Sequence, residues 1–293
     1  MINIFLTGSN GFLGKNFIEY FDDVYSIKKY NYESDLVLLS DVVINFAGKA
    51  HDVRNVSNSD DYYLINTSFS NKLFDAFLSS NAKVFITISS VKAVADVIKG
   101  ELNEMCIPAP FTQYGKSKLM AEEYITPFFL APNKRIYILR PCMIHGPGNK
   151  GNLNLLYNLV SKGIPWPLGA FENKRSFCSI DNLMFIIKEL IDRHDIPSGI
   201  YNIADDVPLS TNQLISILAE SQDRPPKIWN ISKKLIQFLA KIGNVLKLPL
   251  NEERLQKLTD SYVVSNQKIK SAIGKTLPVS SKEGLLKTFK SFN

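Results

Sequence analysis

Cysteine, histidine and tryptophan are all scarce in this 293-residue chain, which holds three Cys, three His and two Trp. Cys106, Cys142 and Cys178 are odd in number and far apart, which argues against a disulfide framework or a thiolate metal site. Three histidines without a carboxylate cluster argue against a zinc centre, so no metal is expected. No apolar run reaches the roughly 20 residues that span a bilayer. The first residues, Met1–Leu6, lack the basic flank of a signal peptide and pass straight into a glycine motif. A reducing cytoplasm is the expected compartment. Charge of one sign is also not gathered into a stripe. The net +6 is spread along the chain, with mild clusters only at Lys28-Lys29 and Lys233-Lys234. That pattern excludes nucleic acid as the expected partner and suits a small polyanion such as a nucleoside diphosphate.

What is present is the composition of a globular enzyme, 45% hydrophobic and 21% charged. Apolar strand patterns at Ile2–Leu6, Val24–Ile27, Asp41–Asn45, Val84–Ser89 and Ile136–Arg140 alternate with helical patterns at Phe12–Tyr20, Asp61–Ser79 and Tyr114–Phe129. This alternation predicts an α/β fold with a doubly wound parallel sheet covered on both faces. The Tyr30–Ser40 interval is too short for the helix, strand and helix of a full half, so the sheet is expected to be trimmed near residues 30–40. Residues 1–141 are read as the dinucleotide-binding Rossmann domain. Residues 142–293 are read as a smaller α+β part, some of which returns to the sheet. Within it, helical patterns lie at Asn152–Lys162, Leu183–Arg193, Thr211–Ser221 and Lys233–Leu246.

The first motif is Thr7-Gly8-Ser9-Asn10-Gly11-Phe12-Leu13-Gly14, set between a strand and a helix. Gly8 permits the tight turn, Gly11 lets backbone approach a pyrophosphate at the helix N-terminus, and Gly14 lets helix and strand sit close. Asn10, Phe12 and Leu13 complete the expected cofactor loop. At the end of the second strand the sequence reads Ser26-Ile27-Lys28-Lys29-Tyr30, with no acid before Glu33 to hold ribose hydroxyls. Lys28 therefore favours NADP(H), with NAD(H) the alternative.

The second motif, Tyr114-Gly115-Lys116-Ser117-Lys118, puts Tyr114 and Lys118 on one helix face. A phenol with a pKa near 10 needs a neighbouring cation to act near neutrality. Ser89-Ser90 ends a buried strand and offers a hydroxyl to a reacting oxygen.

Together these motifs resemble the extended short-chain dehydrogenase/reductases, in the nucleotide-sugar epimerase/dehydratase branch. Asn45-Phe46-Ala47-Gly48, Leu139-Arg140-Pro141, Gly146-Pro147-Gly148 and Lys174-Arg175-Ser176-Phe177 also carry the likeness. The resemblance implies a catalytic set of Ser90, Tyr114 and Lys118. It places Asn45, Phe46, Ala47, Gly48, Asn66 and Pro141 around the cofactor. It also implies substrate contacts from His51, Val91, Lys92, Leu168 and Arg175, with Arg175 on the diphosphate. Asn152 and Asn154 belong either to the nucleotide pocket or to a helix cap.

Val91-Lys92 stand where dehydratases of this branch carry Asp-Glu, which argues against water loss. Val94-Ala95-Asp96 replaces the usual Val-Tyr-Gly. The remaining resemblance is to 4-ketoreductases of surface polysaccharide biosynthesis, acting on a UDP-4-keto-6-deoxy-N-acetylhexosamine of the quinovosamine or fucosamine type. A UDP-sugar 4-epimerase with tightly bound NAD is the alternative. A homodimer through the Tyr114 helix and its predecessor is implied. His145 reads as a packed turn residue. Leu235–Leu246 reads as a basic amphipathic helix, core-facing by preference and membrane-facing as the alternative.

Overall fold

Strict alternation decides which side of the sheet each strand residue serves. Ile4, Leu6, Val42, Ile44, Val84, Ile86, Tyr137 and Leu139 pack into one apolar core, and their neighbours Phe5, Val43, Phe85, Ile136 and Ile138 pack into another. The structure, a computed structural model, describes residues 1–30, 36, 38–49, 59–149, 151–246 and 251–292. Along the chain these form β1 (Asn3–Thr7), α1 (Phe12–Phe21), β2 (Ser26–Lys29) and β3 (Val42–Asn45). Next come α2 (Ser59–Tyr62), a π-helical turn (Tyr63–Phe69), α3 (Ser70–Leu78), β4 (Val84–Ile88) and β5 (Glu101–Leu102). There follow α4 (Gln113–Ile125), β6 (Arg135–Pro141), β7 (Met143–His145), α5 (Asn152–Ser161), β8 (Phe177–Ser179), α6 (Ile180–Asp192) and β9 (Gly199–Ile203). The chain ends in α7 (Thr211–Glu220), α8 (Lys233–Leu246), α9 (Glu252–Thr259), β10 (Val263–Val264), α10 (Gln267–Ile273) and α11 (Ser281–Lys290).

Six strands make one parallel sheet in the order β2-β1-β3-β4-β6-β9. It is the Rossmann-type architecture expected, and β2 forms an edge of it among the described residues, as a trimmed sheet requires. Helices α1, α6 and α10 cover one face, and α3 with the end of α4 covers the other. β9 is drawn from residues 199–203 and adds the last strand beside β6, with Leu139 opposite Tyr201.

A third core gathers the later helices. Leu153, Trp166, Leu168, Phe177, Leu214, Leu218 and Phe289 are its buried members. It is pinned by a wholly buried polar set, in which His145 Nδ1 lies 2.8 Å from Thr288 Oγ1 and Asp205 accepts from Ser179 N and Asn182 Nδ2. His145 is thus packed as expected, though it ends strand β7 and is not in a turn.

Candidate active site

All strands of the main sheet run the same way, so the loops after β1, β3, β4 and β6 gather at one edge, where ligands of such sheets bind. Gly8, at φ +68°, turns the chain after β1, and a Cβ there would come within 2.6 Å of Ala47 N. The glycine therefore lets the loops after β1 and β3 touch. Gly11 caps α1 without any side-chain hydrogen bond. Asn10 and Gly11 are exposed, Phe12 and Leu13 half-buried and Gly14 buried. The first amides of α1 carry no side-chain cap, which is a donor set suited to a diphosphate.

Asn45 has a different task. Its side chain is buried, accepting from Thr7 Oγ1 at 2.7 Å and donating to Ser70 Oγ at 3.0 Å, so it ties β1 and β3 to α3. Asn66, in the π-helical turn, accepts from Lys49 N at 2.9 Å and donates to Ser117 Oγ at 3.0 Å. That fixes the loop carrying Phe46, Ala47 and Gly48 against α4. A Cβ on Gly48 would lie 3.0 Å from Lys118 Nζ, so this loop passes directly over the lysine.

Helix α4 brings Tyr114, Lys118 and Glu122 onto one face, four residues apart. Ser90 follows the end of β4, and its side chain is close enough to the Tyr114 hydroxyl to pull its pKa down. Burial raises the Tyr114 pKa, the Ser90 hydroxyl opposes that, and Tyr62, whose ring meets it edge-on at 6.1 Å, adds to it. The phenol therefore stays protonated until a nearby positive charge draws its pKa down. Lys118 donates to the Ile88 carbonyl at 2.9 Å and is 7% exposed. Burial lowers its pKa to about 8, against the pull of Glu122. Glu122 in turn accepts two bonds from Arg140 Nε, at 2.9 and 3.1 Å, in a buried ion pair. Beside Lys118 lies a cavity of about 10 Å³ lined by Asn66, Ser70, Thr87, Ser89 and Glu122. The buried Ser89 hydroxyl on it has no hydrogen-bond partner among the described residues.

Two further residues position the set, and sequence reasoning missed both. Asp96 accepts from Phe111 N at 2.8 Å, Thr112 N at 3.0 Å and Thr112 Oγ1 at 2.8 Å, clamping the start of α4 two residues before Tyr114. Tyr262 donates to the Ala95 carbonyl at 2.6 Å, and its ring lies 4.4 Å below Lys92 Nζ. Only the departure from Val-Tyr-Gly at 94–96 hinted at the first, and nothing local marked the second.

The substrate candidates are scattered more widely. Lys92 donates to the Asp96 carbonyl at 2.7 Å, and its pKa is lowered by burial, with Arg175 nearby adding to the fall and Asp96 opposing it. Arg175 donates through Nε to the Asp260 carbonyl at 3.0 Å and through Nη2 to the Lys257 carbonyl, and its Nη1 has no hydrogen-bond partner among the described residues. Val91 and Leu168 are each 3% exposed and lie in apolar cores, so neither presents a side-chain surface there. Asn154 accepts from Gly151 N at 2.9 Å, the helix-cap alternative. Asn152 opens α5, with its side chain outside the described residues. His51 also lies outside them. Pro141 ends β6 buried, and Lys28 is exposed on β2.

Residues 4–204 match the model of the NAD dependent epimerase/dehydratase family. The chain belongs to that family. It is 29% identical to a UDP-glucose 4-epimerase of Vibrio cholerae, covering 99% of this chain and 95% of the relative. It is 26% identical to the N-acetyl-alpha-D-glucosaminyl-diphospho-ditrans,octacis-undecaprenol 4-epimerase of Escherichia coli O157:H7, over 98% and 94% of the two chains. The UDP-glucuronic acid 4-epimerase from Bacillus cereus in complex with NAD superposes with a TM-score of 0.76 at 17% identity, over 99% and 98% of the chains. Family members act on nucleotide sugars with a nicotinamide cofactor, and that much holds for this enzyme. Among the described residues no helix is long and apolar enough to cross a membrane.

Proposed function

We propose that this enzyme is a 4-epimerase of a sugar carried on a diphosphate, a UDP-N-acetylhexosamine in the first instance. The observation that carries the reading is the half-buried Tyr114 beside Ser90, with Lys118 on the same helix face beneath Gly48. Two near-full-length relatives that are both 4-epimerases support it over the reductase that the sequence motifs favoured. The uncapped amides of Phe12 and Leu13, the loop Phe46–Gly48, Lys118 and the Pro141 turn would hold a nicotinamide dinucleotide. When bound, that group supplies reversible storage of the hydride from sugar C4.

Everything else is done by the chain. Tyr114, ionised beside the Lys118 ammonium, takes the proton of the C4 hydroxyl as the carbonyl forms and returns it as the carbonyl is reduced. Ser90 holds the same oxygen in line. Lys118, charged below about pH 8, stabilises the phenolate that accepts this proton. Arg175, through its Nη1 donors, takes the diphosphate, a charge-assisted contact. A homodimer through α3 and α4 is part of the proposal, supported by the exposed Met120 and Tyr124 one turn apart on α4.

A 4-ketoreductase remains the second reading, favoured by the exposed Lys28 and Lys29 at the end of β2, which suit the 2′-phosphate of NADP. The test is one experiment with two substrates. With UDP-N-acetylglucosamine and no added cofactor, an epimerase forms the C4 epimer, and NAD is released on denaturation. With UDP-4-keto-6-deoxy-N-acetylglucosamine, ketosugar-dependent loss of NADPH absorbance would replace the epimerase by the reductase.

A further inference from the structure

The reaction leaves one helix unused. α8 follows a segment stitched to the third core, where Trp229 N donates to Trp166 O at 2.8 Å and Gly169 N to Trp229 O at 3.0 Å. One side of α8 belongs to that core, with Ile236 and Ala240 only 3% and 0% exposed. The next side round does not. Leu235, Phe238 and Leu239 are 49%, 60% and 44% exposed, and Trp229, just ahead of the helix, is 57% exposed. At about 100° per residue these three share one strip with Ile242, bordered by Lys234 and Lys241.

The charge along the sequence of this stretch is one-sided, with Glu252 of α9 hydrogen-bonding α8, among the described residues, only at Asn244. Arg224 to Leu246 contains five basic residues, Arg224, Lys227, Lys233, Lys234 and Lys241, and no acid. The whole chain has 34 basic and 28 acidic residues, so the rest holds 29 and 28, a net of only +1. The excess that looks dispersed along the sequence thus falls largely in this stretch, three of its five cations on α8 itself.

We propose that α8 with Trp229 is a docking surface for an anionic lipid bilayer, with the helix lying in the plane of the interface. The exposed Leu, Phe and Trp side chains enter the boundary region while the lysines meet headgroup phosphates. A second copy of the chain is a poorer occupant, because a twofold contact would set this cationic strip against itself. Docking does not depend on which sugar is turned over, so it stands apart from the proposed reaction.

The test is sedimentation of the full-length protein with vesicles. The expected result is binding to phosphatidylglycerol-containing vesicles, weak binding to phosphatidylcholine alone, and loss with rising salt. The combined Leu235→Gln, Phe238→Gln and Leu239→Gln variant, and separately Lys233→Glu, Lys234→Glu and Lys241→Glu, should each bind about tenfold or more weakly. Both should keep wild-type melting and wild-type turnover of a water-soluble UDP-sugar without vesicles. Wild-type protein indifferent to phosphatidylglycerol, or a glutamine variant that binds as wild type, overturns the proposal. So does an oligomer in solution that the glutamine variant dissociates, which would give the face to a second copy.

Discussion

Helices α4 and α8 break the usual partition of side chains in opposite directions. α4 buries Lys118 and Glu122, and through them Arg140 and the Ile88 carbonyl, under the loop after β3. α8 leaves Leu235, Phe238 and Leu239 in solvent. Each departure costs stability when taken alone, by desolvation in the first case and by unburied apolar area in the second. The lesson is where to look: the charged groups taken inside mark the chemistry, and the apolar groups left outside mark a contact with something else.

The sharpest way to break the first half is Tyr114→Phe. Removing one hydroxyl should lower kcat by roughly 10² to 10⁴-fold while KM for the UDP-sugar stays near wild type, since general acid–base transfer is lost and binding is not. Steady-state kinetics decide it, and turnover within a few fold of wild type would remove Tyr114 from the mechanism. Next in size is the pair behind the lysine. Arg140→Leu alone leaves Glu122 buried and unpaired, and should cost about 3–5 kcal/mol of folding stability. Arg140→Leu with Glu122→Leu should regain much of that in a denaturant titration. A double variant as unstable as the single one would show that the pair stabilises rather than positions.

Lys118 gives a prediction of opposite sign. Its pKa is about 8 in the folded protein against 10.5 for an ordinary lysine, so the unfolded chain binds the extra proton between those values. Its burial therefore costs stability in full below pH 8, and the cost falls as pH rises toward 10.5. The difference corresponds to on the order of 3 kcal/mol, less about 1 kcal/mol for the Ile88 carbonyl that loses its donor. Lys118→Met should therefore be inactive yet more stable at pH 7, with the gain shrinking between pH 8 and 10.5. Urea melts across that range test it. Asp96→Ala is smaller again. It removes three bonds at the start of α4 and should cost about 1–2 kcal/mol. It should lower kcat more than it raises KM, and Asp96→Asn should recover part of the loss.

How much of this could be read beforehand follows the same divide. The strands β1, β3, β4 and β6 announced themselves because each is mostly apolar, and Tyr114 and Lys118 because four-residue spacing on a helix is a local fact. β9, Gly-Ile-Tyr-Asn-Ile, was expected only as some returning segment, since five residues with a central polar pair declare no partner. Asp96 was legible as an odd residue but not as a clamp, because its three donors lie 15 and 16 residues on. Arg175 was placed by its motif, while the carbonyls it meets, of Lys257 and Asp260, are more than 80 residues away. For α8 the sequence pattern identified the helix and its amphipathic character. It favoured burial of the apolar side, which holds for Ile236 and Ala240 and fails for Phe238. A helical period says which residues share a face, not how wide a face the rest of the protein covers.

That width is what the smallest prediction measures. Phe238 is 60% exposed, so Phe238→Gln removes little buried area and should change folding stability by no more than about 0.5 kcal/mol. Ile236→Gln, two residues away and 3% exposed, puts an amide into the third core and should cost about 2–4 kcal/mol. Equal costs in thermal melts would mean that the two sides of α8 are equally covered in solution. The contrast between a helix that hides its charges and one that shows its apolar side chains would then fail on its second member. A wide gap between the two melts would instead leave the exposed strip with no stabilising role inside the chain, so that its apolar character needs an external partner to account for it.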